Sequence, residues 1–147
     1  MKAIYLDTNI FVYSSQKTSP FFLKSINLLK YSLKNSIAIA TSSESIQEII
    51  HLAKKTRNVA TGLKTANILL KLTQLLLPVD KETINIYLNL LKNYSQLNKL
   101  ESRDFIHIAS CLQYDIKILV TQDKEFKKFK GIKIFTAEEY LNQYKVN

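Results

Sequence analysis

Short apolar runs that alternate with longer amphipathic stretches constrain the fold of this chain more than any other feature. A short apolar run suffices for a buried strand, whereas apolar residues at every third or fourth position indicate a helix. The apolar runs predict strands at Ala3–Leu6, Ile37–Ala40, Leu75–Val79, Ile116–Val120 and Ile132–Phe135. The third of these contains a proline and is a short edge strand or a connector. Strands that alternate with helices imply a parallel sheet in an α/β fold.

The stretches between the strands carry helix-start signals. Ser19-Pro20 precedes an amphipathic stretch that ends near Asn35, and Thr41-x-x-Glu44 and Thr136-x-x-Glu139 have the spacing of capping boxes. Ser102 is predicted to be the N-cap of another helix. The predicted helices cover residues 8–16, 21–35, 41–55, 60–74, 81–97, 102–114 and the segment after 136. Residues 124–130 are predicted to form a short basic helix or a loop.

The composition restricts the class of protein. The 147 residues, 46% of them hydrophobic, fit a single domain at 1–147 with its own core. With only 2 Gly and 2 Pro, the chain lacks a Gly-rich phosphate loop, and a turn-rich β-sandwich is disfavoured. A single cysteine, Cys111, excludes an internal disulfide, and we expect a buried thiol there. Because there is also no long apolar run and the N-terminus leads directly into a strand, we expect no membrane span and a cytoplasmic location.

Four acidic residues lie where the predicted elements begin or end. Asp7 closes the first strand and Asp123 follows the fourth, while Glu48 and Asp104 lie in the helices that follow the second strand and precede the fourth. Parallel strands share one carboxyl edge, where ligands bind. Four carboxylates at that edge repel one another unless a cation lies among them, and Mg²⁺ or Mn²⁺ prefers such an oxygen environment. This placement predicts a metal-dependent phosphodiesterase site.

Each acid also has an ordinary structural explanation. The two acids at strand ends can cap the helices that follow them, Asp104 can interact with its helix dipole, and Glu48 can be a solvated helix residue. Asn9 and Thr121 are predicted to support neighbouring carboxylates by hydrogen bonds, although both are also common turn residues. The joint placement of the acids is therefore stronger evidence than any one of them.

The two histidines allow another interpretation. Glu48-x-x-His51 and Asp104-x-x-His107 each put a carboxylate and an imidazole on one helical face, which is typical of di-iron bundle proteins. A bundle needs four long helices with inward-facing acids, whereas two of the acids here follow predicted strands. We expect His107, which has isoleucine on both sides, to be a packed, hydrogen-bonded residue rather than a ligand, and His51 to lie near the mouth of the site.

The chain is basic, with a formal net charge of +9. A polyanion such as RNA would be drawn to this surface, although an acidic protein partner also fits. Two basic groups are candidates for phosphate binding, and each is equally explained as solvated surface. The first, called the lysine triplet below, follows Asp123 and comprises Lys124, Lys127 and Lys128. The second lies at a predicted helix end and comprises Lys54, Lys55 and Arg57.

Four segments of the chain resemble the motifs of PIN-domain proteins. Ile4–Phe11 resembles the opening motif and Ser43–Glu48 the second, which is a helix that carries one acid. Arg103–Ala109 and Leu119–Phe126 resemble the third and fourth. The order and spacing match over nearly the whole chain, and the small size resembles the VapC-type toxins of toxin–antitoxin pairs.

The resemblance implies a PIN-like three-layer α/β/α fold, with a short, mostly parallel sheet flanked by helices. It also implies a Mg²⁺- or Mn²⁺-dependent endoribonuclease, with metal-activated water as nucleophile. It further implies a homodimer and inhibition by a small VapB-like antitoxin. By motif, Asn9 and Thr121 are supporting polar residues, and Glu101 or Glu125 is a candidate for the fifth acid of some relatives. The metal-binding acids implied by the motifs are Asp7, Glu48, Asp104 and Asp123. The alternatives are a non-catalytic PIN-like RNA-binding or interaction module and, less favoured, a di-metal carboxylate oxidase.

Overall fold

The computed structural model describes residues 2–145, and within them seven α-helices and a short 3-10 helix surround a five-stranded sheet. The strands are β1 Ala3–Leu6, β2 Ala38–Ser42, β3 Leu75–Leu77, β4 Ile118–Val120 and β5 Lys133–Phe135. The helices are α1 Thr8–Ser14, α2 Phe22–Lys34, α3 Ser43–Lys55, α4 Val59–Leu72, α5 Lys81–Asn93, α6 Asp104–Gln113 and α7 Ala137–Tyr144, and the 3-10 helix is Lys124–Lys128. The predicted α/β fold is confirmed, and the helical-bundle interpretation is wrong.

The sheet order places β1 at the centre. The strands lie in the order β3-β2-β1-β4-β5, and every neighbouring pair is parallel. From β1 the chain builds β2 and β3 on one side and then returns to build β4 and β5 on the other. The carboxyl ends of β1 and β4 therefore flank the point where the strand order reverses, and open α/β sheets bind ligands at such a point.

Alternation along β1 divides the core between the two faces of the sheet. Ile4 and Leu6 point to the face covered by α1, α2, α4 and α7, whereas Tyr5 points to the face covered by α5 and α6. All three side chains are fully buried, and burial of each apolar side chain contributes about 1.5–3 kcal/mol. No helix within residues 2–145 is long and apolar enough to cross a membrane.

Two of the predicted helix caps are wrong. Thr41 belongs to β2, opposite Leu76, and its hydroxyl donates to the carbonyl of Leu6 at 2.9 Å, so it is not available to cap α3. Ser102 does not cap α6, which begins at Asp104 and has no side-chain cap bond from its N-cap residue. The capping box that begins at Thr136 is present as predicted. Long-range strand pairing thus decided the role of Thr41, which local spacing alone had assigned to a cap.

Candidate active site

A cleft of about 390 Å³ opens at the carboxyl ends of β1 and β4, next to α1, α3 and α6. All four predicted acids line it: Asp7, Glu48, Asp104 and Asp123. The exposed His51 also lines the cleft, in agreement with its expected place near the mouth. Residues far apart in sequence meet here because β1 pairs with both β2 and β4, so the segments that follow these strands emerge side by side.

Asp7 is the most buried of the four acids, with 4% of its surface exposed. It follows β1 directly, and its backbone N–H donates to the carbonyl of Val120 at the end of β4 (3.0 Å). Its Oδ2 accepts hydrogen bonds from the Thr121 hydroxyl (2.6 Å) and from Asn9 Nδ2 (2.7 Å). Although Asp7 occupies the N-cap position of α1, its side chain makes no cap bond. The carboxylate is therefore oriented by these two polar side chains and not by the helix that it precedes.

Asn9 and Thr121 also connect the two strand ends to each other. Asn9 Nδ2 donates to Thr121 Oγ1 (3.0 Å), and Asn9 Oδ1 accepts the backbone N–H of Gln122 (3.2 Å). Thr121 Oγ1 accepts the backbone N–H of Asp123 as well (3.0 Å). The hydrogen bonds expected of Asn9 and Thr121 are thus present, and both residues contact Asp7.

Glu48 projects from α3 toward Asp7 and meets a histidine there. His107 Nε2 lies 2.8 Å from Glu48 Oε1 and 3.5 Å from Asp7 Oδ1, and the ring is fully buried. Ligand atoms of Asp7, Glu48 and His107 all lie within 4.8 Å of one another. The expectation of a packed, hydrogen-bonded His107 agrees with the structure, but its contact with the acids was not anticipated. The sequence signal was its spacing from Asp104, which places both on one face of α6.

Asp104 and Asp123 line the cleft outside this close group of three. Asp104 Oδ2 accepts the backbone N–H of Glu101 at 2.7 Å. Asp123 Oδ1 accepts the backbone N–H of Glu125 at 2.9 Å and so caps the 3-10 helix. The capping role considered for Asp123 therefore coexists with its place in the cleft. Of the two candidates for a fifth acid, Glu101 lines the cleft and Glu125 does not.

Burial and mutual repulsion perturb the ionisation of these groups. Burial raises the pKa of Asp7, and burial together with the charges of Asp7 and Glu48 raises the pKa of Asp104 to about 7. Burial would also raise the pKa of Glu48, but the hydrogen bond and charge of His107 outweigh it and lower that pKa. Burial alone would lower the pKa of His107, whereas Tyr5 and the carboxylates of Glu48 and Asp7 raise it well above its ordinary value. Without a cation, the cluster thus retains protons that a bound cation would displace.

The donor set fits a hard divalent cation. The cleft offers carboxylate oxygens from five side chains, those of the four predicted acids and of Glu101, and the two central acids are fixed by hydrogen bonds before any ion arrives. The pKa values of Asp7 and Asp104 are raised in this cluster, and a bound cation would reduce the repulsion between the carboxylates. Oxygen ligands of this kind suit Mg²⁺, Mn²⁺ or Ca²⁺.

The lysine triplet does not line the cleft. All three side chains are exposed, Lys127 forms an ion pair with Glu139 at 2.6 Å, and Lys128 pairs with Glu125. The second basic group, at the end of α3, is also exposed and outside the cleft. Among the described residues that line the cleft, Arg103 is the only Lys or Arg, and its Nε lies 3.6 Å from Glu44 Oε1. Sequence reasoning did not single out Arg103, although it directly precedes Asp104.

The sequence profile of the PIN domain matches residues 4–132. The chain belongs to the PIN-domain family. The chain is 29% identical to ribonuclease VapC13 of Mycobacterium tuberculosis over 132 residues, and this alignment covers 88% of the chain and 97% of the relative. It is 25% identical over 120 residues to ribonuclease VapC23 of the same species, with 82% and 92% covered. The PIN-domain interpretation of the four sequence motifs is confirmed.

Solved structures share the fold. A chain of the VapBC2 complex from Rickettsia felis, bound to a promoter DNA fragment, superposes with a TM-score of 0.73 at 21% identity over 91% of this chain and 98% of that one. VapC20 of Mycobacterium tuberculosis, a toxin that cleaves the sarcin–ricin loop, superposes with a TM-score of 0.71 at 13% identity over 88% and 96%. At these identities the superpositions establish the PIN-like α/β/α architecture.

Proposed function

We propose that this PIN-domain chain is a metal-dependent endoribonuclease and the toxin of a VapBC-type toxin–antitoxin pair. The observation that carries the proposal is the pair of pre-oriented carboxylates, Asp7 and Glu48, in the cleft at the carboxyl edge of the sheet. Relatives named as VapC ribonucleases, matched over most of their length, support the choice of RNA as substrate.

In this proposal Asp7, Glu48, Asp104 and Asp123 hold Mg²⁺ or Mn²⁺. A bound ion of this kind supplies Lewis acidity, which acidifies an attacking water and stabilises the leaving oxygen of the phosphodiester. The residues of the chain perform the remaining tasks. Thr121 and Asn9 hold Oδ2 of Asp7 by hydrogen bonds, which leaves Oδ1, 3.5 Å from His107 Nε2, to bind the cation.

Arg103 is the residue of the cleft best suited to bind an RNA phosphate. Its side chain is partly exposed, and its ion pair with Glu44 is long at 3.6 Å, so the guanidinium retains donors for a second anion. The lysine triplet remains a candidate for more distant phosphates, but two of its members must first leave their glutamate partners. Arg103 therefore takes the closer position in the proposed complex.

The proposed partners are an RNA substrate, a second copy of the chain and a small VapB-like antitoxin, all in the cytoplasm. The titles of several structural relatives name VapBC complexes, which supports the antitoxin. An arginine from such an inhibitor would satisfy the carboxylates by bidentate hydrogen bonds and replace the cation. Excess Mg²⁺ should then compete with inhibition, and unaltered Mg²⁺ affinity in the inhibited complex would place the inhibitor elsewhere.

Cleavage of purified RNA tests the proposal. We expect cleavage that requires Mg²⁺ or Mn²⁺, stops with EDTA and is abolished by Asp7→Asn, with cut sites mapped on total RNA after brief induction. Asp115→Asn is the matched control, because Asp115 is exposed and lies outside the cleft. Equal cleavage by wild type and Asp7→Asn would either remove Asp7 from the catalytic site or reveal a contaminating nuclease. RNA binding without any cleavage would favour the non-catalytic RNA-binding module.

A further inference from the structure

The buried imidazole of His107 lies among the proposed metal ligands, although the four-acid scheme gives it no task. Its Nε2 is 2.8 Å from Glu48 Oε1 and 3.5 Å from Asp7 Oδ1. At these distances two roles are open. Nε2 can offer a lone pair to a cation as a fifth ligand, or it can carry a hydrogen and donate it to Glu48. The two roles require different tautomers of the ring.

The hydrogen bonds of Tyr5 distinguish these tautomers. The Tyr5 hydroxyl lies 3.0 Å from the backbone nitrogen of Ser42 and 2.6 Å from His107 Nδ1. The Ser42 N–H can only donate, so the tyrosine oxygen accepts that bond. The single hydrogen of the hydroxyl is then directed to Nδ1, which accepts it. A neutral ring that accepts at Nδ1 carries its own hydrogen on Nε2 and donates it to Glu48.

The same donor is present when the ring is protonated, because both nitrogens then carry hydrogen. Metal ligation by Nε2 would instead require Nδ1–H to face Tyr5. The hydroxyl hydrogen of Tyr5 would then have no acceptor among its hydrogen-bonded neighbours in the described chain, at a fully buried position. An unsatisfied buried donor of this kind is costly. The hydrogen-bond geometry therefore disfavours ligation by the neutral ring, and a protonated ring has no lone pair to offer a cation.

We propose that Tyr5 and His107 are positioning residues: the Tyr5 hydroxyl donates to Nδ1 and holds the ring, and His107 Nε2–H holds Glu48 Oε1 so that the cation meets oxygen ligands alone. This inference rests on the proposed metal site and adds two positioning residues to it. With the imidazole withheld as a ligand, the cleft selects hard ions such as Mg²⁺ and Mn²⁺. A nitrogen ligand would instead favour Zn²⁺.

Nitrogen-15 NMR of the metal-free protein, labelled at histidine, observes the tautomer directly. The chain has 2 histidines, so the spectrum of His51→Gln identifies the His107 signals. We expect hydrogen on Nε2 at every pH, and no direct Nε2–metal bond on titration with Mg²⁺. Tyr5→Phe removes the donor to Nδ1 but leaves the Glu48 acceptor, so the hydrogen should stay on Nε2 and only the Nδ1 signal should shift. A neutral wild-type ring with hydrogen on Nδ1, or loss of the Nε2 hydrogen when Mg²⁺ binds, would overturn the proposal.

Calorimetric titration with Mn²⁺ supplies a second readout that does not depend on RNA cleavage. Glutamine retains an N–H donor near the position of Nε2, whereas leucine has none. We expect His107→Leu to weaken Mn²⁺ binding by roughly 10- to 100-fold, the range for residues that orient metal ligands, and His107→Gln to restore most of it.

The outcomes separate this inference from the proposed function. Equal loss of Mn²⁺ affinity in the Gln and Leu variants of His107, or no loss in either, would overturn the positioning role while leaving the metal site intact. A wild-type protein that binds no divalent cation would overturn both proposals. If the Leu variant does not fold, the tautomer in wild type still decides the question.

Discussion

Replacement of Asp104 by asparagine should stabilise the metal-free protein and destabilise the metal-bound one. Burial and the neighbouring acids raise the pKa of Asp104 from 3.8 to about 7, so its ionised form is disfavoured in the fold. Asparagine cannot ionise, but its carbonyl oxygen can still accept the Glu101 N–H that Asp104 accepts at 2.7 Å. The substitution therefore removes the charge while it preserves the local hydrogen bond.

The shift gives the magnitude and its pH dependence. A rise of roughly three pKa units corresponds to an upper limit of about 4 kcal/mol, and solvent screening of this half-buried carboxyl lowers the expected effect to about 1–2 kcal/mol. The folded state binds the proton more tightly than the unfolded state. The penalty is thus absent below about pH 4, grows as the pH rises, and is complete above about pH 7.

Urea unfolding in EDTA at about pH 8 and about pH 5 measures this difference. Asp104→Asn should unfold at higher urea than wild type at pH 8, with a smaller gain at pH 5. Saturating Mn²⁺ should reverse the order, because wild type binds the ion more tightly and gains more stability from it. Asp115→Asn, an exposed carboxyl given the same change, should stay within about 0.5 kcal/mol of wild type throughout.

Destabilisation of the metal-free protein by Asp104→Asn at pH 8, with the Asp115 control unchanged, would refute this reasoning. Asp104 would then serve the fold mainly by accepting the Glu101 N–H, and its raised pKa would not reflect a real cost of ionisation. A gain in stability that is the same at both pH values would also contradict the titration argument, because the penalty must vary over that range.

Three further predictions concern the surroundings of the site. Thr121→Val removes a donor to Asp7 and should lower the free energy of unfolding in urea by about 1–3 kcal/mol. It should also weaken Mn²⁺ binding, measured by calorimetry, by roughly 10- to 100-fold, and unchanged affinity would limit Thr121 to a structural role. Gly62→Ala would place a Cβ 2.2 Å from Ala53 Cβ, so the free energy of unfolding should fall by about 1–3 kcal/mol. Thermal unfolding measures this loss, and an unchanged Tm would contradict the close contact of α3 and α4. Arg103→Ala should weaken RNA binding and reduce the slope of log binding constant against log salt concentration by roughly one unit or less. The effect should exceed that of replacing any one member of the lysine triplet, and a larger effect from the triplet would assign the phosphate contact to it.

Local patterns in the sequence determined the class of fold and the identity of the four acids. Alternation of short apolar runs with amphipathic stretches predicted the α/β architecture because strand and helix periodicities are local properties. Asp7 and Asp123 were recognised because each follows an apolar run, and a polar residue there must lie at a sheet edge. These inferences required no knowledge of strand order, and the motif resemblance added the PIN family.

Only the tertiary structure decided which side chains meet. His107 contacts Tyr5 and Glu48, which are 102 and 59 positions away in sequence, and no local sequence pattern predicts contacts over such separations. The contacts exist because β1 pairs with β2 on one side and β4 on the other, which brings α3 and α6 together above the carboxyl end of β1. The same pairing placed Thr41 in β2 instead of in a helix cap. The spacing of residues along the chain determines on which face of a helix or strand a side chain lies. The residue that it contacts is determined by how whole helices and strands pack against one another.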